Sequence, residues 1–99
     1  MGYMLMYSRQ AEKDARLLER SGLDKKAKEL LTIIKRNPFQ NPPHYEKLVG
    51  DMAGAYSRRI NIHNRLVYQV AENSEMLKDA DGNLYQGIVR VLRMWTHYE

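Results

Sequence analysis

Residues 56–70, YSRRINIHNRLVYQV, constrain the fold more than any other part of the chain. Between positions 56 and 62 the residues alternate. Tyr56, Arg58, Ile60 and Ile62 fall on one side, and Ser57, Arg59 and Asn61 on the other, which is the period of a half-buried strand. His63-Asn64 suits a two-residue turn, since Asn tolerates positive φ. A return strand over 65–70 then shares Leu66, Tyr68 and Val70 on one face and Arg65, Val67 and Gln69 on the other. A chain carrying this hairpin must build a sheet around it. No Asp or Glu occurs between Asp51 and Glu72, while Arg58, Arg59 and Arg65 do. One carboxylate, Glu46, stands just ahead, before a turn bracketed by Gly50 and Gly54. A positively charged strand pair beside one carboxylate suits an anionic polymer better than a neutral metabolite.

The remaining elements read as scaffold. Residues 3–7, YMLMY, form a first strand bounded by Ser8, which is placed to cap a helix over 9–20. Ala11, Ala15 and Leu18 lie on one face of that helix, and Gly22 suits the left-handed position beyond its end. Asp24 is expected to cap a second helix over 25–36, with Ala27, Leu30, Leu31 and Ile34 as its apolar stripe. The short connection favours an antiparallel helical hairpin. Asn37-Pro38 stops the second helix. The loop 37–44, NPFQNPPH, contains three prolines and is expected to be ordered, with Phe39 anchored in the core and His44 on the surface. Asp81-Gly82 leaves room for a small extra hairpin near 76–86. A long strand follows over 88–96, apolar on both faces like a central strand. The order β-α-α-loop-β-β-β implies an α+β fold. A mostly antiparallel twisted sheet would carry a helical hairpin on one face and leave the other face free to bind.

At 99 residues the chain is read as one domain, 1–99. It has no cysteine, which excludes a disulfide framework or a thiolate metal site. No apolar run approaches a membrane-spanning helix, and the N-terminal residues lack the pattern of a signal peptide. The expectation is a soluble intracellular protein. The formal charge of +4 is moderate, and its distribution says more: 52–71 and 82–98 carry only positive charge. Nucleotide-loop, zinc-protease and serine-hydrolase motifs are missing, and three scattered histidines make no metal site.

Glu46, the arginines and His97-Tyr98 remain. Cleaving RNA needs a base for the 2′-hydroxyl, an acid for the departing 5′-oxygen, and cations on the phosphate. Glu, His and Arg can supply these without a metal or other cofactor, and Tyr can stack on a base. Taken singly, a glutamate such as Glu46 is more often a solvated loop residue, and a histidine such as His97 more often frayed than catalytic.

Three segments carry a resemblance: ERSGLDKKAKELLTIIKRNPF, then YEKLVGDMAGAYSRRINIHNRLVYQV, then a near-terminal His-Tyr. Together they closely resemble the YoeB/Txe toxins of the RelE/ParE superfamily, bacterial toxin–antitoxin endoribonucleases, over nearly the whole chain. The resemblance implies a RelE-like fold and matches Glu46 to the family's general base. It matches Arg65 to the arginine on the scissile phosphate, His97 to the general acid and Tyr98 to the adjoining tyrosine. Arg59 matches an RNA-binding position, and Arg58 and Lys47 join it as expected RNA contacts. Such toxins cut mRNA in the ribosomal A site, leaving a 2′,3′-cyclic phosphate and a 5′-hydroxyl. The implied partners are the ribosome, mRNA and a YefM/Phd-type antitoxin, with room for a homodimer, in the bacterial cytoplasm and away from membranes. The chain departs from the family pattern at Val49, where relatives carry lysine, in a longer 77–87 segment, and at Glu99 after the tyrosine. The competing reading is a non-catalytic toxin that binds the ribosome or RNA and blocks the A site.

Overall fold

A computed structural model describes residues 2–95. The chain runs β1 (Tyr3–Tyr7), α1 (Arg9–Arg20), α2 (Asp24–Arg36), β2 (Glu46–Lys47), a 3-10 turn (Gly50–Met52), β3 (Ala55–Arg59), β4 (Arg65–Glu72) and β5 (Gly87–Arg93). The five strands form one open sheet in the order β1-β5-β4-β3-β2. The β2–β3, β3–β4 and β4–β5 ladders are antiparallel and β1–β5 is parallel, so the sheet is mixed with antiparallel pairing dominant. β5 lies between β1 and β4, and its Ile88, Val89 and Val91 are buried, as expected of a strand apolar on both faces.

The helical hairpin covers one face. Ala11 and Leu18 of α1 and Ala27, Leu30 and Ile34 of α2 pack with Leu66, Tyr68, Val89 and Val91 in one core. Ser8 caps α1: its Oγ accepts from the Ala11 N–H at 3.0 Å and donates to the Leu92 carbonyl at 2.8 Å, so the cap also grips β5. Asp24 does not cap α2. It is the first helical residue, and the preceding Leu23 makes no side-chain cap bond. Its charge still lies in the first turn, where the helix dipole favours it.

A buried carboxylate ties the end of β5 to α1. Asp14 is fully buried and accepts from Arg93 Nε at 2.9 Å, the Met94 N–H at 2.9 Å and Gln10 Nε2 at 3.0 Å. Burial pushes its pKa up. The bonds from Arg93, Met94 and Gln10 and the Arg93 charge outweigh this and hold it below the usual aspartate value.

Three local expectations are corrected. The β3–β4 hairpin closes with Arg59 opposite Arg65, so the connection is 60–64 and not a two-residue turn at His63-Asn64. Asn61 organises it, its Oδ1 accepting from the His63 and Asn64 N–H groups. The last strand ends at Arg93 and not near 96. Phe39 is 41% exposed and packs edge-on against Tyr56 at 5.3 Å; the loop's own buried residue is Pro38. The small hairpin near 76–86 is present as a single antiparallel bridge, Lys78 to Leu84, with Gly82 at φ +82°.

Candidate active site

Glu46 is held by a two-residue strand that pairs Glu46 with Ser57 and Lys47 with Tyr56. So short a strand cannot fix itself, and the loop before it is held from the other side of β3. Alternation sends Arg58 to the Tyr56 and Tyr68 side. There it is 1% exposed, and its guanidinium donates to the carbonyls of Pro38 (3.1 Å), Gln40 (2.8 Å) and Pro43 (2.6 Å) and to Tyr68 Oη (3.1 Å). It also lies 5.0 Å over the Tyr45 ring. Tyr68 Oη donates in turn to the Pro38 carbonyl at 2.7 Å, and burial pushes the phenol's pKa up. Phe39, Tyr45 and Tyr56 pack around this clamp, with Tyr56 edge-on to the other two rings.

The opposite face carries the charge. Pairing puts Glu46, Ser57, Arg59 and Arg65 on one side of the sheet. Arg65 Nη1 is 3.7 Å from Glu46 Oε2 and 3.4 Å from Ser57 Oγ. Glu46 Oε1 is 3.7 Å from His44 Nε2. The Glu46 side chain is 49% exposed and that of Arg65 19%. Together with Arg59, Lys26, Leu30 and Pro43 these residues line a depression of about 200 Å³. A carboxylate open to solvent and flanked by an arginine can take a proton from a hydroxyl while the guanidinium meets a neighbouring phosphate. No group of three or more His, Cys, Asp or Glu able to hold a metal ion occurs among the described residues. A larger groove of about 340 Å³ between α1 and α2, lined in part by Ala15, Leu18, Ala27, Leu31 and Met94, contains none of the candidate residues.

Of the residues singled out in the sequence, the structure brings Glu46, Arg65 and Arg59 together. Lys47 turns to the Tyr56 side of the sheet, away from Glu46. Arg58 is corrected: buried and bonded to four oxygens, it has no surface for RNA and serves the loop instead. Its place on the Tyr56–Ile60 side of the alternation was the available signal. His97 and Tyr98 lie outside the described residues. His44, read as a surface histidine, does reach solvent but also faces Glu46. Its i, i+2 spacing on an extended run was the signal.

Residues 7–81 match the family described as YoeB-like toxin of bacterial type II toxin-antitoxin system. The chain belongs to this family. Toxin YoeB of Synechocystis is 35% identical over 66 residues, covering 67% of this chain and 70% of that protein. Among solved structures, the YoeB/ParE toxin from Agrobacterium tumefaciens superposes with a TM-score of 0.76 at 28% identity, covering 96% of this chain and 99% of that one. A YoeB–YefM complex from Staphylococcus aureus gives 0.68 at 29% identity, covering 97% of this chain and 98% of that one. The fold is therefore that of the YoeB toxins, and the chain is a YoeB-type toxin of a toxin–antitoxin system.

Proposed function

We propose that this YoeB-type toxin is an endoribonuclease that cuts mRNA in the ribosomal A site by attack of the 2′-hydroxyl. The observation that carries the reading is the apposition of Glu46 and Arg65 on a solvent-open, cation-lined depression. Glu46 takes the 2′-hydroxyl proton. Arg65, steadied by Ser57, stabilises the charge that builds on the phosphate. Arg59, exposed on the same face, holds the adjoining backbone, and Lys47 meets RNA from the other side. His97 donates a proton to the leaving 5′-oxygen, and Tyr98 stacks on a base. The scheme draws on side chains alone. Acting on ribosomes places the toxin in the bacterial cytoplasm; no described helix is long and apolar enough to cross a membrane. The S. aureus YoeB–YefM complex supports a YefM-type antitoxin as partner, and the S. aureus YoeB dimer supports a second copy of the chain as another.

Mapping mRNA ends after induction tests the proposal. New 5′-hydroxyl and 2′,3′-cyclic phosphate ends at A-site codons are expected. Stalled ribosomes without new ends would favour a toxin that blocks the A site without cutting.

A further inference from the structure

His44 and Glu46 sit two residues apart on the extended run into β2, and their side chains meet at 3.7 Å. Arg65 stands at the other carboxylate oxygen, also at 3.7 Å. Glu46 is thus flanked by a guanidinium at one oxygen and an imidazole at the other. The charged or titratable groups sharing the depression with His44 are Glu46 from β2, Arg65 from β4, Arg59 from β3 and Lys26 from α2.

We propose that His44 is a positioning residue and proton relay behind Glu46. The inference rests on the reading of Glu46 as base. In the step, the O2′–P bond forms and the P–O5′ bond breaks. The 2′-hydroxyl proton passes to Glu46 and then, through one bridging water across the 3.7 Å gap, from Oε1 to Nε2 of neutral His44. This restores the carboxylate and leaves an imidazolium. The 5′-oxygen takes its proton from the acid on the opposite side of the phosphate. His44 is 75% exposed, so the imidazolium returns its proton to water. An imidazole is in general a stronger base than a carboxylate, which is the direction a relay needs. When His44 is protonated it cannot accept, and it pins Oε1 in an ion pair instead. The relay therefore works only while His44 is neutral.

The test is single-turnover cleavage of a defined mRNA on programmed ribosomes by the full chain, between about pH 5.5 and about pH 8. Wild type, His44→Gln and His44→Lys are compared, with ribosome affinity and thermal midpoint measured alongside. The ratio of the wild-type rate to that of His44→Gln should rise about tenfold across this range; His97 acts alike in both, so the ratio isolates His44. Both variants should be about tenfold slower than wild type at the upper end and closer to it at the lower end, with affinity and melting unchanged. A wild-type pH profile in His44→Gln overturns the relay. So does a wild-type rate in His44→Lys, which would make charge rather than proton acceptance the role. Glu46→Gln run alongside separates the two claims. If it cleaves at the wild-type rate, the base assignment fails. If it is inactive while His44→Gln keeps the wild-type profile, the relay alone fails.

Discussion

Asp14 Oδ2 accepts from Arg93 Nε at 2.9 Å, joining residues 79 positions apart. The same oxygen accepts the Met94 N–H, so one buried carboxylate fixes the end of β5 against the first helix. Asp14→Ala should strand the Arg93 guanidinium and the Met94 amide and cost about 2 kcal/mol in urea unfolding. Arg93 is partly exposed and can recover some hydration, which keeps the cost below that of a fully buried pair. An unchanged urea midpoint would show that the tie is dispensable.

The same carboxylate makes stability depend on acid. Its pKa is lowered in the folded state, so the unfolded chain binds its proton first as pH falls. The contribution is complete above the unfolded aspartate value, about 3.9, and is lost as pH drops through the lower folded value. Urea midpoints of Asp14→Asn measured down to about pH 2 should therefore fall less steeply than those of the wild type. Parallel slopes would refute the assignment.

Arg58 is predicted to act on the site through the loop. Arg58→Met leaves the carbonyls of Pro38, Gln40 and Pro43 without their donor and should destabilise the fold by about 3 kcal/mol. Arg58→Lys should recover little, because one ammonium cannot span three carbonyls in a fork. Hydrogen exchange of the Glu46 and Leu48 amides, which face β3, should speed up in both variants. Unaltered exchange together with wild-type melting would sink the idea.

Gly87 opens β5 where three strands converge. A Cβ there would stand 2.8 Å from Tyr3 Cε2 and 2.9 Å from the Ala71 carbonyl oxygen. The ring can shift, but the paired backbone oxygen cannot. Gly87→Ala should cost about 1–3 kcal/mol by chemical denaturation. Wild-type stability would mean that the strands separate more readily than the packing suggests.

Most of the architecture was legible because it is written in periods. The helix stripes through Ala11 and Leu18 and through Ala27, Leu30 and Ile34, the alternation in β3 and β4, and the two-sided β5 all follow their patterns into place. Charged residues used as structure were not legible. Asp14 lies three residues from Ala11 and four from Leu18, on the apolar stripe, but an aspartate reads as solvated until its partners are known. Arg58 looked like an RNA contact because three carbonyls of an irregular loop leave no sequence trace. β2 has only two residues, too few for any period, and it exists because β3 offers an edge. At the site, Glu46, Arg59 and Arg65 were named from charge and resemblance, while His44 was passed over.

The central claim is that Glu46, beside Arg65, is the base of an RNA-cleaving site. The measurement is primer extension on a defined mRNA with purified ribosomes, comparing wild type with Glu46→Gln at matched stability. The account predicts A-site cuts by the wild type and a rate at least about 100-fold lower for the variant. Cutting by Glu46→Gln at the wild-type rate would contradict it.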